Sequence, residues 1–396
     1  MRVLLINDTA RPYTGGGNRV VVETCRWLER CGHQVALAYH DGIPAHLGCP
    51  IYHLPDEGHL PVPQMLARLD EILAEFRPDL IQFHTSQIMA AFRHVCDRFP
   101  TALFVHDQSW FCLDGDRMVR NFKPCHRAHG PECLLLNYAL VCGGKSPLTN
   151  WTLWKRAQSR MILHDVPAVQ LQVASNFMKA GLLENGFPED RVDVVPLFSE
   201  PPPSHEMVEP GLVLCPSRLV RAKGVHVLLD ALAGLPGLPW RLIIAGHGPV
   251  RAELAAQVAK LGIGSRVHFT GEVSPEEMSG LYGRAQIVAF PVLRPEPFGL
   301  VGVESLAYGK PIVAFAGGAV DEWLWPGETG IKVETRTAQA FGTALAELLT
   351  DRAKCARIGE AARNRYARFE PRAYISRLEV SFERLVRKHA AGAHRA

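Results

Sequence analysis

Residues 294–315 read RPEPFGLVGVESLAYGKPIVAF, and the order of residue types along them decides the fold class. The apolar, β-prone run at 287–292 predicts a strand, and Pro295 and Pro297 force an extended turn after it. Gly309, Lys310 and Pro311 then stop a helix, and the apolar run at 312–315 predicts a second buried strand. Strand, loop, helix and strand in this order are the repeating unit of a parallel sheet covered by helices. In such a sheet ligands bind outside the carboxyl ends of the strands, which puts Glu296 in the crevice. The amides of Phe298, Gly299 and Leu300 open the helix, where unpaired N–H groups and the positive end of the helix dipole favour a phosphate. Glu304 follows Glu296 by about two turns on a roughly similar side. Carboxylates only accept hydrogen bonds, so two of them beside a phosphate site suit a ligand rich in hydroxyls. The competing reading is a solvated helix carrying two surface glutamates, and the upstream residues decide against it.

A chain of 396 residues is too long for one ordinary core, which predicts two domains. Its 47% hydrophobic and 21% charged content is that of a soluble globular protein, and a formal net charge of +3 is too small to argue for nucleic acid. The opening MRVLLINDTARPY reaches a polar Asn-Asp pair after a short apolar run, as a first strand does and a signal peptide does not. No apolar segment is long enough to span a membrane. A cytoplasmic protein is expected, with its ten cysteines mostly thiols or metal ligands.

Apolar runs at 3–7, 34–40, 79–84, 101–107 and 168–175 alternate with helical periodicity at 19–31 and 63–76. A second alternating set begins at 212–217 and continues through 241–246, 267–271, 287–292 and 312–315. The expected fold is α/β, with two doubly wound domains facing each other across a cleft. Residues 1–197 form the first domain, with a cysteine-rich insertion at 108–148. Residues 198–211, rich in proline and charge, form a linker, and 212–370 form the second domain. Residues 371–396 predict an amphipathic helix, with Tyr374, Leu378 and Leu385 on its apolar side, that packs back on the first domain.

The first strand of the second domain ends in SRLVRAKG. Arg218 and Lys223, about one turn apart at a strand's carboxyl end, suit a diphosphate, Arg through its planar fork and Lys as a point charge. Alone, they read as two exposed loop cations. SRLVRAKG, AGHGP at 245–249, EPFGLVGVE, GG at 317–318 and GETG at 327–330 occur in the order of the retaining family 4 glycosyltransferases of GT-B fold. The first half resembles that family too, in the glycines at 15–17, FVHD at 104–107 and SNFMKAGLLENGFPEDRVDVVP at 175–196. The resemblance covers nearly the whole chain.

That resemblance implies a nucleotide diphosphate sugar as co-substrate, an acceptor of unknown kind, and no cofactor for catalysis. It implies that Glu304 binds the nucleotide ribose and Glu296 the hydroxyls of the donor sugar. Arg218 and Lys223 would hold the diphosphate, assisted by the amides of Phe298, Gly299 and Leu300, with Gly246 also on the donor. His106 would meet the transferred sugar, and Gly16 and Gly17 would let the backbone approach the donor phosphate. A buried structural histidine is the other reading of His106. Rival functions are a sugar-nucleotide epimerase, a phosphorylase, or a non-catalytic module that binds a nucleotide sugar. A nicotinamide site is disfavoured, because GGGN lacks the third glycine of the dinucleotide fingerprint.

Cys112, Cys125, Cys133 and Cys142 crowd into a stretch with little periodicity. Three fates stay open for them: a structural Zn²⁺ held by four thiolates, disulfides, or unlinked thiols. Residues 149–164, TNWTLWKRAQSRMILH, predict a helix with Trp151, Trp154, Lys155, Arg156 and Arg160. Aromatics beside cations suit peripheral contact with a membrane or a lipid-linked acceptor, and a partly buried helix with a solvated basic edge is the preferred reading.

Overall fold

The computed structural model of the chain describes residues 1–9, 16–42, 47–55, 61–84, 89–119, 123–130, 132–133, 135–136, 142, 163, 166, 169–202 and 207–393. The helix expected around Trp151 and Trp154, and much of the cysteine-rich stretch, lie outside the described residues. The chain divides into two compact units, one of Met1–Asn121, Cys125–Leu197 and Pro371–Ala396, the other of Phe122–Pro124 and Phe198–Glu370.

Described residues of the first unit form a seven-stranded sheet from β1 (Arg2–Thr9), β2 (Gln34–Asp41), β3 (Ile51–His53), β4 (Leu80–Phe83), β5 (Thr101–Val105), β8 (Gln170–Val173) and β9 (Val192–Val194). The two-residue strands β6 (Met118–Val119) and β7 (Lys123–Pro124) stand outside it. The order is β3-β2-β1-β4-β5-β8-β9, and every pairing is parallel. Val3, Leu4, Leu5 and Ile6 are all fully buried, since helices cover both faces and leave no outward side for polar alternation. The order reverses between β1 and β4, so a crevice opens at the carboxyl ends of those strands. Helix Gly16–Arg30 is the next element after β1 among the described residues.

The C-terminal helix Pro371–Ala393 packs on helix Gly16–Arg30, with Tyr374, Leu378 and Leu385 buried. An apolar stripe alone could slide, and a buried polar ladder prevents that. Gln82 donates to Gln172 at 2.6 Å, Gln172 donates to Ser381 Oγ at 2.8 Å, and Ser381 donates to Asp193 at 2.6 Å. The ladder joins three strands of the sheet to one turn of the helix.

The second unit has a six-stranded sheet from β10 (Leu212–Pro216), β11 (Arg241–Ala245), β12 (Val267–Gly271), β13 (Ile287–Phe290), β14 (Ile312–Phe315) and β15 (Gly330–Val333). Its order is β12-β11-β10-β13-β14-β15, again parallel throughout. The reversal falls between β10 and β13. Ser217–Lys223 and Pro291–Glu296 are therefore the segments that leave the sheet at its switch point. Among the described residues no helix is long and apolar enough to cross a membrane.

Candidate functional site

After β10 the chain passes exposed Arg218 and enters a 3-10 turn, Arg221–Lys223, closed by Gly224 in the left-handed region at φ 69°. A Cβ on Gly224 would lie 1.9 Å from the carbonyl oxygen of Pro291. Only glycine lets this loop lie on the segment leaving β13, where Leu293 N donates to Ala222 O at 2.9 Å. The close approach delivers Lys223 to Glu296. Its Nζ donates to Oε1 at 3.1 Å and to Oε2 at 2.9 Å, and Arg294 Nε stands 3.6 Å from Oε2. The two side chains are only 16% and 12% exposed.

The backbone of Glu296 is held as firmly. It forms a parallel bridge with Gly318, and its carbonyl accepts from Ala319 N at 2.9 Å. Gly318 sits at φ 67°, and a Cβ there would fall 2.3 Å from both the nitrogen and the oxygen of Glu296. Burial pushes the Glu296 carboxyl up, but Lys223 and Arg294 outweigh it and hold the group below the usual carboxylate range. Burial draws the Lys223 ammonium down, with Glu296 opposing and the positive charges of Arg294 and Arg218 adding to it.

Glu304 stands apart from this pair. Helix Leu300–Ala307 begins only after Gly299, which adopts φ 89°, so Glu296 lies in the loop before it. The expected spacing of two turns on one side therefore does not apply: Pro297 and Gly299 break the helix that the spacing assumed. Glu304 has a different partner, accepting from Tyr282 Oη at 2.7 Å. Tyr282 is buried and stacks on Tyr308 with ring centroids 5.1 Å apart. Phe298 is buried with its carbonyl accepting from Trp323 Nε1 at 2.6 Å, and no side chain caps the helix that Leu300 opens. Gly302 N donates to Gly299 O at 2.9 Å, which leaves the amides of Leu300 and Val301 in the first turn for solvent or a ligand. Gly246 lies just past β11, its N–H donating to Gly271 O at 2.8 Å.

In the first unit, His106 follows β5 and His84 follows β4. The register Phe83↔Leu103 sets His84 opposite Phe104; the His84 ring stacks on both Phe104 and His106, and Phe104 meets His106 in a tilted contact. His84 Nδ1 and His106 Nε2 are hydrogen-bonded at 2.9 Å. Gly16 and Gly17 open helix Gly16–Arg30, and a Cβ on Gly17 would lie 3.7 Å from His106 Nδ1. Burial brings His106 down to about 4, with Asp107 and Asp8 opposing. Asp107 caps the 3-10 turn Gln108–Trp110, its carboxylate accepting from Ser109 N at 2.8 Å. His84, Arg294 and Tyr282 carry no motif. Only the strand-end position of His84, level with the FVHD strand, was available as a signal.

All four cysteines of the clustered stretch are half-buried thiols. Cys112 Sγ accepts from Arg117 N at 3.3 Å, and Cys125 N donates to Arg117 O at 2.7 Å. Burial first, and then proximity to Cys112 and Cys125, pushes the Cys142 thiol up to about 11. Among the described residues, no three His, Cys, Asp or Glu side chains are grouped to hold a metal ion, so the zinc reading gains no support from this geometry.

Residues 14–198 match the family described as Glycosyltransferase Family 4, and residues 200–365 match Glycosyl transferases group 1. The D-inositol 3-phosphate glycosyltransferase of Corynebacterium urealyticum is 37% identical over 161 residues, which are 38% of this chain and 38% of that protein. The chain thus matches well under half the length of this relative. Sucrose-phosphate synthase from Thermosynechococcus elongatus superposes with a TM-score of 0.75 at 20% identity, over 97% of this chain and 98% of that one. Anabaena Alr3699/HepE in complex with UDP and glucose superposes with a TM-score of 0.73 at 19% identity, over 97% and 99%. Both family matches, in sequence and end to end, place the chain among the group 1 glycosyltransferases of GT-B fold.

Proposed function

We propose that the protein is a retaining glycosyltransferase that moves a sugar from a nucleotide diphosphate donor to an acceptor hydroxyl. The observation that carries this reading is the pairing of Lys223 with Glu296 at the β10/β13 switch point. Cation, carboxylate and uncapped helix start are the three chemistries that a sugar diphosphate needs. The neighbour of like fold that holds UDP and glucose supports the same class of donor.

In this reading Arg218, Lys223 and the amides of Phe298, Gly299 and Leu300 neutralise the diphosphate, Glu296 accepts from sugar hydroxyls, and Glu304 accepts from the ribose. Gly246 lies beside the donor at the neighbouring strand end, and Gly16 and Gly17 give the first unit's backbone access to the donor phosphate. His106 contacts the transferred sugar. The acceptor oxygen bonds to the anomeric carbon on the face from which the phosphate leaves, and the acceptor's proton passes to that leaving phosphate oxygen. Preorganised positive charge then does the work that a divalent ion does elsewhere.

A screen of nucleotide diphosphate sugars, with released nucleotide measured in EDTA, tests this reading. Release of nucleotide without added metal is the expected result. Interconversion of the sugar without release would indicate an epimerase, dependence on inorganic phosphate a phosphorylase, and binding without turnover a non-catalytic module. Strict dependence on Mg²⁺ or Mn²⁺ would remove the diphosphate role from Arg218 and Lys223.

Tyr282 offers a milder test on the ribose side. Tyr282→Phe keeps the stacked ring and deletes the donor to Glu304, so affinity for the nucleoside diphosphate should fall by about 5-fold, or about 1 kcal/mol. Calorimetry with UDP and GDP measures it. Unchanged affinity for both would detach the Tyr282–Glu304 pair from the nucleotide.

A further inference from the structure

We infer that His84 is a positioning residue for His106: by donating from Nδ1 to His106 Nε2, it holds the proton of His106 on Nδ1, the ring atom that faces Gly17. This rests on the reading of His106 as the group that meets the transferred sugar.

His84 is 7% exposed, and its Nε2 is buried with no hydrogen-bond partner among the described residues. Its Nδ1 is the atom bonded to His106. Two proton arrangements satisfy that bond, and they differ in what they strand. If His106 donated from Nε2, His84 Nδ1 would have to accept, and the neutral His84 ring would carry its proton on Nε2. That would bury an N–H with no acceptor, the kind of group that folded proteins all but exclude. If His84 donates from Nδ1, its Nε2 is a bare lone pair and no N–H is stranded. His106 Nε2 then accepts, and its own proton sits on Nδ1. Both rings are neutral at physiological pH, because burial disfavours the imidazolium of each, with each ring's neighbours as follows. Asp107 and Asp8 are the charged groups that oppose this at His106, and His106 itself adds to it at His84.

The geometry fixes the ring as well as its proton. Phe104 lies nearly parallel to His84 with centroids 5.6 Å apart, His84 stacks on His106 at 5.1 Å with the planes 30° apart, and Phe104 meets His106 at 4.8 Å in a tilted contact. Held in that stack, His106 presents an N–H donor toward the first turn of helix Gly16–Arg30, and an oxygen acceptor of a sugar is the group it suits. Without His84 the ring would exchange tautomers, and a fraction of molecules would present a lone pair instead of a donor.

Nitrogen-15 spectra of the full chain with labelled histidine, His106 being assigned by its loss in His106→Ala, test the inference without any ligand. The expected wild-type spectrum shows His106 protonated on Nδ1 with Nε2 bare. In His84→Phe the two tautomers should mix, and donor hydrolysis should lose about 10-fold in kcat with KM unchanged. The donor for this assay is the nucleotide sugar that is hydrolysed fastest in the screen above. His84→Asn keeps an N–H donor close to the Nδ1 position, so it should restore both the single tautomer and most of kcat. It also serves as the readable variant if His84→Phe does not fold, since a short donor at that position fills less of the apolar stack. His106 protonated on Nε2 in the wild type would overturn the inference, as would a His84→Phe spectrum identical to wild type. Wild-type turnover by His106→Ala would instead overturn the sugar-contact reading, and it leaves the spectroscopic result standing.

Discussion

Lys223→Met lowers stability by about 3–5 kcal/mol and turnover by at least about 100-fold. Both losses come from one place. Glu296 has a side chain only 12% exposed and depends on Lys223 for its two shortest charge contacts. Without the ammonium it keeps, among the described residues, only the Arg294 cation at 3.6 Å, which is too long for a good hydrogen bond. The stability loss is therefore the cost of an under-compensated buried charge rather than the worth of the pair. Glu296→Gln is milder in stability, about 1–3 kcal/mol, because the amide oxygen still accepts from Lys223. The double variant Lys223→Met/Glu296→Leu separates the roles: apolar replacement of both partners should recover most of the stability and none of the turnover. Thermal and urea unfolding of the second unit, with nucleotide release alongside, measure all three proteins. A double variant that regained turnover with its stability would show the pair to be scaffold only.

The apolar runs that exposed the fold belong to central strands. VLLI in β1 and IVAF in β14 are buried on both faces and leave an unbroken hydrophobic signature. β3, β9 and β15 left none, since IYH, VDV and GIKV are three or four residues long, and several of them are half-exposed. The C-terminal helix announced itself through the period of Tyr374, Leu378 and Leu385. The ladder that fixes it to the sheet, Gln82, Gln172, Ser381 and Asp193, is spread over some three hundred positions and has no local pattern. The site divides in the same way. Arg218, Lys223, Glu296 and Glu304 stood out through the ordered motifs SRLVRAKG and EPFGLVGVE that carry them. That Lys223 grips Glu296 follows from two backbone close approaches, at Gly224 and Gly318, and that Glu304 meets Tyr282 instead follows from a helix that starts only after Gly299; only the folded chain reveals either. His84 was silent because one histidine at a strand end has no chemistry until its neighbour is placed.

Between pH 7 and pH 5 the first unit should lose about 2 kcal/mol of stability through His106, and His84 adds to the loss in the same direction. An ordinary imidazole takes its proton near pH 6.5. Burial lowers His106 to about 4 and His84 well below its usual range. In this window the unfolded chain binds protons that the folded chain refuses, so unfolding is favoured as pH falls, by about 1.4 kcal/mol per group for each pH unit. The stabilisation is fully present above about pH 6.5, and for His106 its loss is complete near pH 4, where the folded state accepts the proton too. Glu296 does not blur the window, because its depressed carboxyl loses stability only below the usual carboxylate range and lies in the other unit. Urea unfolding at pH 7, 6 and 5 of wild type and of His84→Asn/His106→Asn isolates the effect, since neither asparagine titrates and every other group is common to both. The variant starts less stable at pH 7 and should fall more slowly, and equal slopes would mean that the two rings are open to solvent. The same depression keeps both imidazoles neutral at physiological pH, so in the proposed role His106 would meet a sugar as a hydrogen-bonding ring and not as a cation.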